Sequence, residues 1–245
     1  MPALTASDVL RLWEIGVSQT PARRALTILQ AAAPAASASD LWALPVGRRD
    51  RRLLEVRQNT FGAQLDAVLA CPTCGERVEF GLDASALLDE DASVDSATES
   101  EVVVDDWRVR YRMPTAGDLA DAATCDDVAQ GVRLLVERCV VDVTRRGEQM
   151  LVSDAPAAAL GLMDAELAHR DALAEVLLDF DCPSCGRAGQ APFDIARYLW
   201  EEIRAEAARL VREVHTLARA YGWREADVLA MSAARRHAYL ELVAS

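Results

Sequence analysis

Two short cysteine sequences constrain the fold of this chain more than any other feature. Residues 71–75 (CPTCG) and 182–186 (CPSCG) share one pattern and lie more than 100 residues apart. In each, the proline and the glycine favour a tight turn that points both thiolates and nearby backbone N–H groups at one position. Two such turns supply four thiolates, the ligand set of a closed structural zinc site. The sequence therefore predicts one Zn²⁺, which joins two distant parts of the chain through Cys71, Cys74, Cys182 and Cys185.

Other roles for these cysteines have to be weighed against zinc. A disulfide within each pair, as in redox proteins with a C-x-x-C motif, would indicate a thiol-exchange enzyme. That motif normally opens a helix after a strand and works as a single pair, so two matched pairs favour zinc. Inert buried thiols would not need the repeated spacing. Cys125 and Cys139 lack the pattern, and we expect them to be ordinary small apolar residues.

Length and composition exclude several classes of protein. The chain has 245 residues, of which 51% are hydrophobic, so it is long and apolar enough to bury a sizeable core. It has no run of 18 apolar residues and no basic segment followed by an apolar one at its start, so neither a membrane span nor a secretory signal is predicted. The net charge of −13 argues against a nucleic-acid surface. Cysteine usage suits a reducing cytoplasm.

The acidic residues are concentrated in one stretch. Nine acids and no arginine fall between residues 81 and 106, and the centre is rich in Ser, Ala and Asp. We interpret residues 81–106 as a solvated acidic loop and expect residues 84–100 to be the most mobile internal segment of the chain. A docking site for a basic partner is the alternative.

Hydrophobic periodicity predicts an α+β fold that is mainly helical. Short helices are expected in the first 60 residues, with N-caps at Ser7, Thr20 and Ser39. Alternating apolar and polar residues predict strands near both cysteine sequences, and a further strand over residues 107–113 with one apolar and one basic face.

The C-terminal quarter carries the strongest periodic signal. From Phe193 to Tyr221 apolar residues recur at steps of three and four, which predicts one amphipathic helix of seven or more turns that ends at Gly222. We therefore expect a helical region over residues 1–70, a zinc-binding α+β region over 71–192 and a helical region over 193–245, joined into one unit by the metal.

Two groups of residues are candidates for a partner-binding surface. The first is four arginines within five residues of one predicted helix, which are either a solvated face or a basic docking patch: Arg48, Arg49, Arg51 and Arg52. The second consists of aromatic and arginine side chains in the C-terminal region, types that dominate interface hot spots but also suit a core: Trp200, Tyr221, Trp223, Arg235, Arg236 and Tyr239.

No catalytic arrangement emerges from the sequence. We find no phosphate-binding glycine loop, no nucleophile elbow and no paired-histidine motif, and the three histidines fall in predicted helices. Four thiolates would leave zinc no open position for a substrate. We therefore expect a protein that is not an enzyme.

Several segments occur together in an order known from one family. They are residues 44–54 (LPVGRRDRRLL), 61–62 (FG), the two cysteine sequences, 221–225 (YGWRE) and 235–240 (RRHAYL). With them, residues 10–243 resemble the T-even-type phage baseplate hub assembly chaperone family, in the form found in contractile injection system gene clusters. The zinc assignment rests on the cysteine spacing and not on this family.

The resemblance implies a cytoplasmic, non-enzymatic protein that helps to build the baseplate of a phage-tail-like particle, with hub or spike proteins as its partners. Two alternatives stay open at this point. The chain could be a structural component that is retained in the finished particle, or a zinc-ribbon adaptor or thiol-redox protein.

Overall fold

The computed structural model of the chain describes residues 1–90 and 99–244, in which eleven α-helices and eight β-strands form a mixed α+β fold. The predicted mainly helical α+β class is confirmed. The helices are α1 (Ala6–Gly16), α2 (Pro21–Ala32), α3 (Ala38–Trp42), α4 (Val46–Phe61), α5 (Ala84–Glu90), α6 (Ala116–Ala122), α7 (Val128–Cys139), α8 (Ala157–Arg170), α9 (Ile195–Tyr221), α10 (Glu225–Leu229) and α11 (Ala233–Ala244).

The strands form three separate antiparallel sheets. Two of these are hairpins, β1–β2 and β7–β8, and the third is a four-stranded sheet in the order β3-β4-β5-β6. The strands are β1 (Gln64–Ala70), β2 (Arg77–Asp83), β3 (Glu99–Val104), β4 (Trp107–Arg112), β5 (Val140–Arg145), β6 (Glu148–Gln149), β7 (Val176–Asp181) and β8 (Ala188–Phe193).

The main apolar core lies between the N-terminal helices and α9. Leu29 of α2, Leu53 of α4, and Ile203 and Leu210 of α9 all belong to it and have no exposed surface. The regions predicted as residues 1–70 and 193–245 thus share one core, while their boundaries stay a prediction. Within the described residues, no helix is long and apolar enough to cross a membrane.

The long helix α9 ends where its sequence indicates. It has 27 residues, about 40 Å at 1.5 Å per residue. The side chain of Asp194 accepts from the backbone N–H of Arg197 at its start, and Gly222 closes it in the left-handed conformation at φ +70°. That conformation suits glycine because a side chain would be strained there.

Trp200 holds α9 against α1 and α2. Its ring packs on Gly16 so closely that a Cβ atom at residue 16 would overlap it, and the Arg24 guanidinium lies 4.7 Å from the ring centroid. Trp200 is only 5% exposed. The prediction that it belongs to a partner surface is therefore wrong, because its periodic position faces the core.

The four-stranded sheet and α8 form a second, smaller core. Val109 and Tyr111 of β4, Val143 of β5 and Met163 of α8 are buried there. The side chains of Tyr111 and Val109 are essentially inaccessible, which explains the strong alternation of this strand in the sequence. This second core is separate from the main helical core.

The predicted acidic loop over residues 81–106 is wrong for its described parts. These residues form the end of β2, helix α5 and strand β3. Glu101 pairs with Arg108 at 2.7 Å and Glu99 with Arg110 at 3.7 Å, so acids of β3 meet arginines of β4. A run of acidic residues has the composition of a solvated loop, but in a sheet it can be stabilised by arginines of the neighbouring strand. Residues 91–98 of this stretch, and with them much of the predicted mobile segment, lie outside the described residues.

Two of the predicted helix caps are displaced by two residues. Thr5, not Ser7, caps α1, because its hydroxyl accepts from the N–H of Asp8 while the Asp8 carboxylate accepts from the N–H of Thr5. Ser37, not Ser39, caps α3. Thr20 precedes α2 as predicted, with Pro21 at the first helical position.

Gly47 provides a test of how α4 docks. Its backbone N–H donates to the buried Asp171 carboxylate at 3.0 Å, and a Cβ atom at residue 47 would overlap that carboxylate. Gly47→Ala should therefore lower the free energy of unfolding by about 2 kcal/mol, since a buried carboxylate would lose this hydrogen bond. Urea unfolding measures this.

Gly161→Ala is the matched control for that experiment. Gly161 lies inside α8, and a Cβ atom there would meet nothing within 4 Å. This change should raise the free energy of unfolding by up to about 1 kcal/mol, the helix-propensity difference. Equal effects of the two substitutions would contradict the close approach at Gly47.

Candidate metal centre

The two cysteine sequences lie at the tips of the two hairpins. In the first hairpin, Ala70 pairs with Arg77, so residues 71–76 form the connection. In the second hairpin, Asp181 pairs with Ala188, and residues 182–187 connect the strands in the same way. Each hairpin thus ends in a turn that carries two cysteines, and the two tips meet.

Both turns are held by the same backbone hydrogen bonds. The N–H of Cys71 donates to the carbonyl of Glu76 at 2.7 Å, and the N–H of Gly75 donates to the carbonyl of Cys71 at 2.8 Å. The equivalent distances within residues 182–187 are 2.8 and 3.0 Å. Gly75 has φ +76° and Gly186 has φ +70°, a left-handed conformation that favours glycine. The glycine at the end of each CPxCG sequence is therefore needed for the turn.

The four sulfur atoms are placed as ligands of one ion. All four lie within 4.8 Å of one another, with Cys71 Sγ 3.8 Å from Cys185 Sγ and Cys74 Sγ 3.6 Å from Cys182 Sγ. A tetrahedral ion with metal–sulfur bonds of about 2.3 Å separates its sulfurs by about 3.8 Å, whereas a disulfide bond is about 2.05 Å long. The four cysteines could therefore bind a metal ion, as the sequence predicts.

The electrostatics of the cluster also favour a bound cation. The backbone N–H groups of Cys74 and Thr73 lower the pKa of the Cys71 thiol to about 6. The backbone N–H of Glu76 lowers the pKa of Cys74, but desolvation and the neighbouring thiols outweigh it and raise that pKa to about 12. The Cys71 thiol therefore ionises easily, whereas the Cys74 thiol resists ionisation. A cation would allow all of them to be thiolates together.

The cluster has a buried and an exposed side. Cys71 and Cys182 are each 2% exposed and lie in a small apolar cluster with Val78 and Phe180, while Cys74 and Cys185 face outwards. Among the described residues, no other group of three or more His, Cys, Asp or Glu side chains converges in this way. The four cysteines thus lie where the tips of both hairpins meet a small apolar core.

The two remaining cysteines lie outside the cluster. Cys139 at the end of α7 is buried, and burial raises the pKa of its thiol to about 11. Cys125 is half-buried in the connection before α7. Their placement fits the expectation of small apolar residues.

The four arginines of α4 do not share one surface. Arg48 is exposed, but Arg49 is buried and pairs with Asp50 at 2.7 Å. Arg51 donates to the Leu88 carbonyl at 3.0 Å, and Arg52 is half-buried. Successive helical residues are 100° apart, so four arginines in five positions spread around the axis. The predicted role of Arg49 in a docking patch is therefore wrong.

Three of the C-terminal candidates pack on one another. We call Tyr221, Trp223 and Tyr239 the aromatic cluster. The rings of Tyr221 and Trp223 stack at 4.5 Å, and Tyr239 meets Trp223 edge-on at 4.8 Å. Arg235 covers Tyr239 at 5.7 Å, and Tyr221 is still 39% exposed. The aromatic cluster thus keeps part of its surface available, and its role in binding a partner stays a prediction.

Arg236 has an internal role instead. It is only 4% exposed, donates to Glu213 of α9 at 2.8 Å and donates to the Met231 carbonyl at 2.6 Å. These bonds fix α11 against α9. The prediction that Arg236 contacts a partner is therefore wrong.

Strand β8, like β1, is a part of the site that the sequence analysis did not predict. Ala188–Phe193 contains a glycine and a proline, both unfavourable in strands, and shows no clear alternation of large apolar residues. Its signal is indirect. Because the first cysteine sequence is followed by a clear strand, the second could have been expected to have one as well.

A comparison with protein families places the chain. The model of a family described as T4 bacteriophage base plate protein matches residues 18–167, which is 150 of the 245 residues. The match includes the first cysteine pair but ends before the second pair and α9. No curated protein sequence and no solved structure matches the chain significantly. The family model covers more than half of the sequence, and the ordered motifs also indicate a T4-type baseplate family. The chain therefore belongs to the T4 bacteriophage base plate protein family.

Proposed function

We propose that this protein is a non-enzymatic assembly factor for the baseplate of a phage-tail-like contractile particle, and that it acts on hub or spike proteins in the cytoplasm of the producing cell. The family match over residues 18–167 is the observation that carries the proposal. The partly exposed aromatic cluster is a surface of the kind that contacts a partner. A component retained in the finished particle is the second candidate, which the same match supports.

We infer further that the metal is zinc and that its role is structural. Four thiolates are the ligand set of closed structural zinc sites, and they leave no open position for a substrate or a water molecule. Cys71, Cys74, Cys182 and Cys185 would hold the ion. This arrangement speaks for a structural element and against the thiol-exchange enzyme considered from the sequence.

The position of the cluster suggests what the metal would hold together. The second hairpin runs from β8 directly into α9 through Asp194. The first hairpin is tied to the same helix, because the Tyr198 hydroxyl donates to the Asp66 carbonyl and accepts from the Asp66 N–H, both at 3.0 Å. A bound ion would therefore fix both hairpins at the start of α9.

Deletion of the gene in a cell that produces the particles tests the proposed function. We expect particles with incomplete or missing baseplates, visible by electron microscopy, and rescue by the wild-type gene. Mass spectrometry of purified wild-type particles should find this chain well below the amount of the baseplate proteins. Stoichiometric presence would identify a retained component instead, and normal particles from the deletion strain would contradict both candidates.

A further inference from the structure

Helix α7 leaves most of its apolar face uncovered. Only Gly131 and Cys139 are buried among its residues, while Val128 is 84% and Val132 54% exposed. An amphipathic helix normally buries its apolar stripe against the rest of the protein. Within the described residues, little of this chain performs that task for α7.

A groove runs between this face and α8. It has a volume of about 310 Å³ and includes Leu135 and Val136 of α7 and Met163 and Leu167 of α8. Val132 also lines the groove and is partly exposed. The groove therefore presents apolar side chains from two helices to one space, as a helix-binding groove does. We call it the α7–α8 groove.

The charges at the α7–α8 groove have one sign. Its lining includes the carboxylates of Asp164, Asp171 and Glu175, and no arginine or lysine is found among its described lining residues. Asp171 is buried and already accepts from the Gly47 N–H, whereas Asp164 and Glu175 are exposed. The two exposed carboxylates are thus placed to meet a basic partner beside an apolar floor.

We propose that the α7–α8 groove binds an amphipathic helix of another baseplate protein, with apolar residues on the floor and arginine or lysine beside Asp164 and Glu175. The part of α7 that lines the groove runs from Val132 to Cys139 and is about 12 Å long, so about two turns of the partner helix fit along it. That the partner is a baseplate protein rests on the proposed function, whereas the shape and charge of the groove do not.

Charge favours this occupant over a second copy of the chain. Two identical grooves that meet around a two-fold axis would bring the same carboxylates towards one another. Like charges at an interface oppose association, and opposite charges favour it. A partner with basic flanks removes that conflict.

Two synthetic peptides test the proposal with the full-length protein. Each is a 16-residue amphipathic helix with leucine on one face, and the flanking residues are lysine in one peptide and glutamate in the other. Fluorescence anisotropy should show that the lysine peptide binds about tenfold more tightly than the glutamate peptide, since two rim charges each contribute modestly. Asp164→Lys combined with Glu175→Lys should reverse this preference.

Single substitutions separate the floor from the rim. Val132→Ser should weaken both peptides about fivefold, because one apolar side chain is lost from the contact. Val128→Ser removes a more exposed valine outside the groove, and Glu148→Lys changes a charge on β6, so both should leave binding unchanged. Val132 is an exposed side chain, and its variant keeps the test valid if the double variant fails to fold.

Three results would overturn the proposal. They are equal binding of the two peptides, no binding of either, and binding that Val132→Ser does not weaken. A monomer–dimer equilibrium in sedimentation that Val132→Ser abolishes would assign the groove to a second copy and overturn it as well. The peptide assay contains no particle. Peptide binding can therefore fail while the gene is still required for assembly, and peptides can bind although the gene is not required. The two experiments thus test this inference and the proposed function separately.

Discussion

Cys182→Ser is expected to release the β7–β8 hairpin from the β1–β2 hairpin and to lower the free energy of unfolding by about 4 kcal/mol. The loss is smaller than the roughly 10 kcal/mol that structural zinc supplies in small peptides, because this chain has a helical core of its own. The effect should be local first. Amide exchange should speed up in both hairpins and at the start of α9 before it changes in α1 or α2.

Metal content and stability measure this together. Wild-type protein purified without chelators should carry one zinc per chain by elemental analysis, and Cys182→Ser should carry much less. Chelation of the wild type should reproduce the stability of the variant. Cys125→Ser is the matched control, since Cys125 is half-buried outside the cluster, and it should retain the zinc and most of the stability.

Wild-type protein without metal would refute the zinc assignment. An equal loss of stability in Cys125→Ser and Cys182→Ser would show that any cysteine matters equally, and that the cluster has no special role. A disulfide-reductase activity in the metal-free protein would instead favour the thiol-exchange alternative.

The four-cysteine cluster could be predicted from the sequence because its chemistry is local. Each CPxCG sequence specifies its own turn through Gly75 or Gly186, and the number of thiolates fixes the pairing of the two turns. The long helix α9 was equally clear, because its period persists over 27 residues and Gly222 ends it. Neither inference needs a contact between residues that are distant in the chain, except the meeting of the two cysteine turns.

The acidic stretch shows why other parts could not be predicted. Strand β3 is stabilised by its pairing with β4, where Arg108 and Arg110 form diagonal ion pairs with Glu101 and Glu99. Seen alone, the acids of this stretch resemble a solvated segment. Strand pairing is a tertiary property, and β-propensity is correspondingly dependent on context.

The candidate partner residues show a second limit of sequence analysis. Composition identifies aromatic and arginine residues but not the direction in which they point. Trp200 of α9 packs on Gly16 of α1, and Arg236 of α11 donates to Glu213. Tyr221, at the end of α9, stays partly exposed. Hot-spot composition and core composition overlap, so burial has to be observed.

Trp200→Ala should therefore lower the free energy of unfolding much more than Trp223→Ala does. Trp200 is 5% exposed and fills the contact between α9 and α1, so its removal leaves a cavity and should cost about 4 kcal/mol of unfolding free energy. Trp223 is only half-buried, stacks on Tyr221 and meets Tyr239 edge-on, so Trp223→Ala should cost about 1 to 2 kcal/mol. Urea unfolding of both variants measures the difference.

The same pair of variants tests whether the aromatic cluster binds a partner. Trp223→Ala protein that is folded at the growth temperature should still fail to restore baseplates in the deletion strain, because the aromatic cluster loses its central ring. Tyr198→Phe is a useful comparison, since it removes the hydroxyl bonded to Asp66 and leaves the aromatic cluster intact. Full restoration by Trp223→Ala would remove the aromatic cluster from the partner surface. A loss of stability equal to that of Trp200→Ala would place Trp223 in the core, and the loss of particles would then follow from unfolding alone.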